Sequence, residues 1–151
     1  MKKKLMLLSI MLFTGCVVPK HSGSQGITGV VRWVEGNLMP AVGDTTYTTR
    51  AKGVPIQREI YIYKAVKIHD AESQQGVFFH DIPSELIARV QTDSDGIFNV
   101  SLSPGTYSVF VMEEEGLFAN KYDGEGFINP VTISANSYVN MEILINYKAY
   151  Y

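Results

Sequence analysis

The chain has 151 residues, 46% of them hydrophobic and 19% charged, with a formal net charge of −2 and a single cysteine. That length holds one domain with a sizeable core and excludes two ordinary ones, and the composition excludes a disordered chain. The slightly acidic balance gives no electrostatic reason to expect nucleic acid, and one cysteine cannot form an internal disulfide.

The N-terminus reads as an export signal. Lys2, Lys3 and Lys4 precede an apolar run over residues 5–13 that only Ser9 interrupts. Nine residues are too few to span a bilayer, which needs about 20, but suit a secretory signal. The run ends in Leu12-Phe13-Thr14-Gly15-Cys16, which resembles a bacterial lipobox with Phe13 in the place usual for Leu. The resemblance implies cleavage before Cys16, with lipid on the sulfur and amino group of that residue. An ordinary secretory signal with an incidental cysteine is the alternative. Loss of residues 1–15 leaves 10 basic and 15 acidic side chains, a charge near −5. Residues 16–25 then form a tether, rich in Ser, Gly and Pro and without apolar period.

Residues 27–34 predict the first strand, with Ile27, Gly29, Val31 and Trp33 on one face; both faces are partly apolar, so the strand is internal or covered. Residues 35–53, with Gly36, Pro40 and Gly43, read as a long loop, usually a functional or mobile one. Alternation over residues 58–69 predicts one long strand, with Ile60, Ile62, Val66 and Ile68 facing one way and Tyr61, Tyr63, Lys67 and His69 the other. The polar run 70–76 ends in Gly76 before Val77-Phe78-Phe79, the pattern of a β-hairpin arm. Residues 86–91 fit a strand or one helical turn capped at Ser84; Ile87, Val90 and the turn chemistry that follows favour the strand.

Residues 92–112 form the heart of the chain. Phe98, Val100 and Leu102 alternate with Asn99 and Ser101, then Ser103-Pro104-Gly105 turns the chain into a return strand with Tyr107, Val109 and Val111 on one face. Asp93 to Gly96 carries the residues of a hairpin turn. Residues 117–126 read as a loop mixing aromatics with turn formers. Residues 131–133 and 139–145 predict a closing hairpin, with Val139, Met141, Ile143 and Ile145 inward. The expected layout is a signal at 1–15, a tether at 16–25, a β-sandwich at 26–147 and a tail at 148–151.

The run T-D-x-x-G-x-F-x-V-x-L-x-P-G-x-Y-x-V-x-V over residues 92–111 resembles the carboxypeptidase regulatory-like domain. Ile27-Thr28-Gly29-Val30-Val31 resembles that family's opening strand, and Gly53-Val54-Pro55-Ile56 the start of its next. The resemblance implies an all-β, seven-stranded prealbumin-like sandwich, here with a β-hairpin insertion. It also implies a binding or structural accessory module without catalytic residues or cofactor. Segments 36–52 and 65–83 look like insertions relative to the compact family module.

Other chemistry finds little purchase. Asp93-Ser94-Asp95-Gly96 superficially opens like a calcium loop, but Pro104 occupies the twelfth position, where an EF-hand needs Glu. His69-Asp70 and His80-Asp81 flank the arm and would make a zinc site only if the strands bring them together. No G-x-S-x-G elbow occurs, and the chain lacks the C-terminal Tyr-Arg-Gly-Ser signature of the transthyretin-like hydroxyisourate hydrolases. Aromatics outside the main core are the remaining candidates. Tyr47, Phe118 and Tyr122, on two glycine-bearing loops, are the expected partner-binding residues if both loops emerge at one end; the competing reading makes Phe118 a lid over the core. For Tyr61 and Tyr63 a second small core under the insertions is preferred.

The function expected on this reading is a non-enzymatic structural or protein-interaction lipoprotein of the bacterial outer membrane, on either its periplasmic or its surface face. A glycan-binding accessory protein using loop aromatics is the alternative.

Overall fold

The computed structural model describes residues 24–151. In chain order it contains β1 (Gly26–Asn37), α1 (Tyr47–Lys52), β2 (Val54–Pro55), β3 (Glu59–Lys64), a 3-10 turn (Ile68–Asp70), β4 (Glu72–Gln74) and β5 (Phe78–His80). There follow β6 (Leu86–Gln91), β7 (Ile97–Ser101), β8 (Gly105–Glu113), β9 (Gly116–Phe118), β10 (Pro130–Ile133) and β11 (Tyr138–Tyr150). The chain folds as an all-β sandwich of two sheets, one of four strands and one of seven. Seven strands of four residues or more make the frame; β2, β4, β5 and β9 are two or three residues long.

β1 is the spine of the smaller sheet. It pairs in parallel with β11 from Gly26–Tyr138 to Asn37–Tyr150, with a bulge between Trp33 and Glu35. Its other edge takes β7 along residues 26–30 and β2 at Arg32 and Trp33, both antiparallel. β8 is the spine of the larger sheet, with β3 on one edge and β10 and β9 in succession on the other. Period-two alternation then sorts the side chains of β8. Tyr107, Val109 and Val111 enter the core between the sheets with Ile27, Val31, Ile60, Ile62, Phe98, Ile143 and Ile145. Phe110 points the other way, into a second cluster with Tyr61, Val66, Phe79, Leu117 and Ile128. Tyr63 packs edge-on against Phe110 at 5.7 Å. The insertions thus cover the far face of the larger sheet, as the alternation of Tyr61 and Tyr63 suggested.

Several local expectations are corrected. The turns at residues 93–96 and 103–104 do not close hairpins: β6 and β8 lie in the larger sheet and β7 in the smaller, so both turns carry the chain across the sandwich. Asp93 Oδ1 accepts the amides of Asp95 and Ile97 at 2.9 and 2.8 Å, which fixes the first arch; Gly96 follows with φ 71°. Tyr107 fastens the second, its hydroxyl donating to Ser103 O at 2.8 Å, the back-bond of a tyrosine corner. β10 and β11 likewise pair with different sheets rather than with each other. Alternation states which side chains are buried, and that requirement is met equally by crossing the core or by turning back within one sheet.

The long strand predicted over 58–69 stops at Lys64. There the backbone leaves the ladder: Val66 N and O are held by the buried Ser108 hydroxyl, so the Val66 side chain turns into the second cluster. Residues 86–91 are a strand, and β4 and β5 pair as the predicted arm, with Gln75 and Gly76 both at positive φ as a tight hairpin turn requires. The loop predicted over 35–53 is partly ordered structure, because β1 runs on to Asn37 and α1 follows.

Candidate functional site

The two ends of β1 differ in kind. At its start Ser24 Oγ donates to Asn136 Oδ1 at 2.8 Å, Asn136 N donates to Gln25 Oε1 at 3.0 Å, and Gly26 N to Ser137 O at 3.1 Å. Residues 24 and 25, expected to end the tether, are therefore pinned to the turn before β11. The 12 residues of β1 then carry the chain about 36 Å at ~3.3 Å per residue. At this far end Leu38 N donates to Tyr150 O at 2.7 Å, tying the loop after β1 to the end of β11. Met39, Val42, Tyr150 and Tyr151 there are all more than half exposed.

Beside that end lies a cleft of about 280 Å³ between β1, β2 and α1, lined by Trp33, Val34, Glu35, Thr49, Arg50, Gly53 and Val54. Each wall has a cause. Trp33 is fixed by Tyr147, whose ring meets it edge-on at 5.2 Å, and by the Lys148 ammonium 5.6 Å from the indole centroid. Tyr147 is in turn held by its hydroxyl, which donates to Glu113 Oε2 at 2.9 Å; Glu113 is buried and pairs with Arg58 at 2.6 Å. Burial, with the Glu113 carboxylate beside it, pushes the Tyr147 hydroxyl well above the usual phenol range.

The α1 wall is built from polar residues. The Asp44 carboxylate accepts Arg50 Nη2 at 2.6 Å and the Thr46 hydroxyl and amide at 2.8 and 2.9 Å. The Arg50 bond, then those from Thr46, hold its carboxyl far below the usual range. Gly53, at φ 72°, closes the helix where any Cβ would strike Val34 and the Trp33 carbonyl. Arg32 reaches the same corner: Nη1 donates to Gly53 O at 3.4 Å, while Nε lies 3.0 Å from the Glu142 carboxylate as an ion pair without hydrogen-bond alignment.

Compared with known protein families, curated proteins and solved structures, the chain has no match in any of the three.

The sequence-derived candidates scatter over this frame. Cys16 lies outside the described residues. Tyr47 opens α1 and is half-buried. Phe118 is a core residue of β9, only 1% exposed, in contact with Phe78 and Tyr147. Its ring therefore cannot form a docking surface with the other two, and the core-packing alternative describes it. Tyr122 is exposed, but it bridges to Ile128 and its hydroxyl donates to Gly76 O in the arm of the larger sheet, whereas α1, which Tyr47 opens, lies against β1 of the smaller one. Asp93 is engaged in its turn. His69 sits 3.2 Å from Asp70, His80 faces Glu72 across the arm, and among the described residues no group of three or more His, Cys, Asp or Glu is placed to hold a metal ion. The cleft itself was missed: Val54 and Thr49 meet Trp33 only through tertiary packing. One hint was available, a lone Trp on a strand apolar on both faces.

Proposed function

We propose that the protein is a non-enzymatic, carboxypeptidase regulatory-like lipoprotein, anchored through Cys16 to the bacterial outer membrane, whose distal end docks a protein partner in the envelope. The observation that carries this reading is the polarity of the sandwich. The chain joins the fold at Gly26, beside Asn136, while about 36 Å away the other end of β1 leads into the loop carrying the exposed Met39 and Val42 and pairs with the end of β11, where Tyr150 and Tyr151 are exposed. A lipid at Cys16 would hold the first end toward the bilayer and present the second. Exposed apolar and aromatic side chains carried by a rigid frame are common material of a protein-binding surface. Burial of Phe118 removes the three-ring surface expected to bind a partner, whether protein or glycan, so the docking proposed here rests on the exposed side chains at the distal end instead.

The test is crosslinking in the native envelope from a photoreactive residue at Val42, with Asn136 as control. Discrete protein adducts from Val42 and none from Asn136 support docking at the distal end; equal labelling from both positions refutes it. Cys16→Ala should abolish partition into the membrane fraction, and unchanged partition and mass would overturn the anchor.

A further inference from the structure

We infer that residues 40–52 form a rigid flap, hinged at both ends, that lifts from β1 to uncover Val34 and the cleft beside Trp33. The segment is stitched together from within. Asp44 accepts both Arg50 Nη atoms, at 2.6 and 3.4 Å, together with the Thr46 hydroxyl and amide, and its own amide donates to Ala41 O at 3.0 Å. Arg50 N closes the helical turn on Thr46 O at 3.0 Å. Nothing comparable ties the segment to the body. Among the described residues no hydrogen bond, ion pair or ring contact joins residues 40–52 to the fold beyond Gly53, and no residue of α1 is buried. A unit bonded internally and joined to its surroundings only by packing opens as one piece, at far less cost than unfolding the domain.

Each end supplies a hinge. The body holds Leu38, which is 2% exposed and bonded through its amide to Tyr150 O, so movement begins at the exposed Met39. At the other end Gly53 sits at φ 72° against Val34 and the Trp33 carbonyl, and the bond from Arg32 Nη1 to Gly53 O, 3.4 Å long, stops there. A few terminal residues that absorb backbone rotation are all that a hinged closure needs. The flap also has something to cover. Val34 is 2% exposed yet belongs to neither core cluster; Gly53 and α1 lie over this part of β1, and Thr49 and Arg50 form the facing wall of the cleft. Lifting therefore lays bare the strip of Trp33 and Val34 while the sandwich stays closed. The position of the flap sets whether the distal end presents that apolar strip or a polar helix, whether or not a partner docks there.

The test labels Val34→Cys in the full, folded chain with a water-soluble maleimide, the label being located by peptide mass spectrometry. Val31→Cys, at a fully buried core position of the same strand, and Val42→Cys, at a fully exposed one, set the two limits. Labelling at position 34 is expected to be about tenfold or more faster than at 31 and about tenfold or more slower than at 42. It should also be nearly constant in sub-denaturing urea, because lifting the flap exposes little surface whereas unfolding exposes the core. Asp44→Asn weakens the internal clasp, so it should speed labelling at 34 by about threefold or more and leave 31 unchanged. Rates at 34 and 31 that coincide and rise together with urea overturn the inference, as does a rate at 34 equal to that at 42 or unmoved by Asp44→Asn. Should Val34→Cys fail to fold, acrylamide quenching of Trp33, the only tryptophan, decides instead. A higher quenching constant in Asp44→Asn than in the parent supports the flap, and an equal one overturns it.

Discussion

Replacing Phe118 by alanine separates a ring that builds the fold from one that binds a partner. The side chain is almost wholly buried, lies 5.8 Å from the Phe78 ring and 5.6 Å from that of Tyr147, and sits on a strand paired to Val111 and Phe78 on its two sides. Truncation removes a full aromatic payload and leaves a cavity between paired strands that cannot collapse freely, a loss of about 3–5 kcal/mol. For a domain of this size 1 kcal/mol moves the melting temperature by roughly 3–5 °C, so a fall of about 10–20 °C is expected. Phe118→Leu, which retains much of the volume, should cost about 1–1.5 kcal/mol. Calorimetry on both variants gives the measurement, and the Val42 crosslink on the same samples should persist below their melting temperatures. An alanine variant that melts within a few degrees of the parent but loses the crosslink would show that the ring belongs to the interface and would refute the core assignment.

Gly96→Ala should lower the urea midpoint by the equivalent of about 1–3 kcal/mol, since Gly96 has φ 71° and a Cβ there would lie 2.4 Å from Val31 O; a neutral result would mean that the arch between β6 and β7 is built differently. Tyr147→Phe keeps the ring against Trp33 but removes the hydrogen bond to the Glu113 carboxylate, a loss of about 1.5–3 kcal/mol by chemical denaturation. The same variant should flatten the alkaline limb of stability. The folded state raises the Tyr147 hydroxyl above its ordinary value of 10, so the unfolded chain ionises first and stability, complete below pH 10, falls as pH rises through the folded value. Parallel parent and variant curves between pH 10 and 12 would exclude Tyr147 as the source.

The strands were legible wherever one face meets a core. Phe98, Val100 and Leu102 mark β7, and the split of β8 into Val109 and Val111 against Phe110 anticipates two clusters on opposite faces. Sheet membership was not legible, because a residue's period does not name the strand beside it. α1 escaped notice for a different reason: Tyr47 to Lys52 buries no residue fully and carries no apolar stripe, so nothing in its pattern distinguishes it from loop. Phe118 was misplaced because β9 has only three residues and is followed by Ala119-Asn120, too short a stretch to display alternation. The cleft depends on a helix and a two-residue strand meeting β1, and no local signal encodes that meeting.

The parallel pairing of β1 with β11 bears on when the protein can fold. β1 is made first and β11 last, and their register joins residues more than a hundred positions apart. Until the final dozen residues are available, one whole edge of β1 has no partner and Ile143 and Ile145 are missing from the core. Pairings of such high contact order form slowly, and the loop they close is nearly the entire domain. The smaller sheet of such a chain cannot be completed until synthesis is nearly finished. Under the membrane anchoring proposed above, an export apparatus that threads unfolded polypeptide would meet the chain before its sandwich is complete, and the smaller sheet would close only after β11 has crossed.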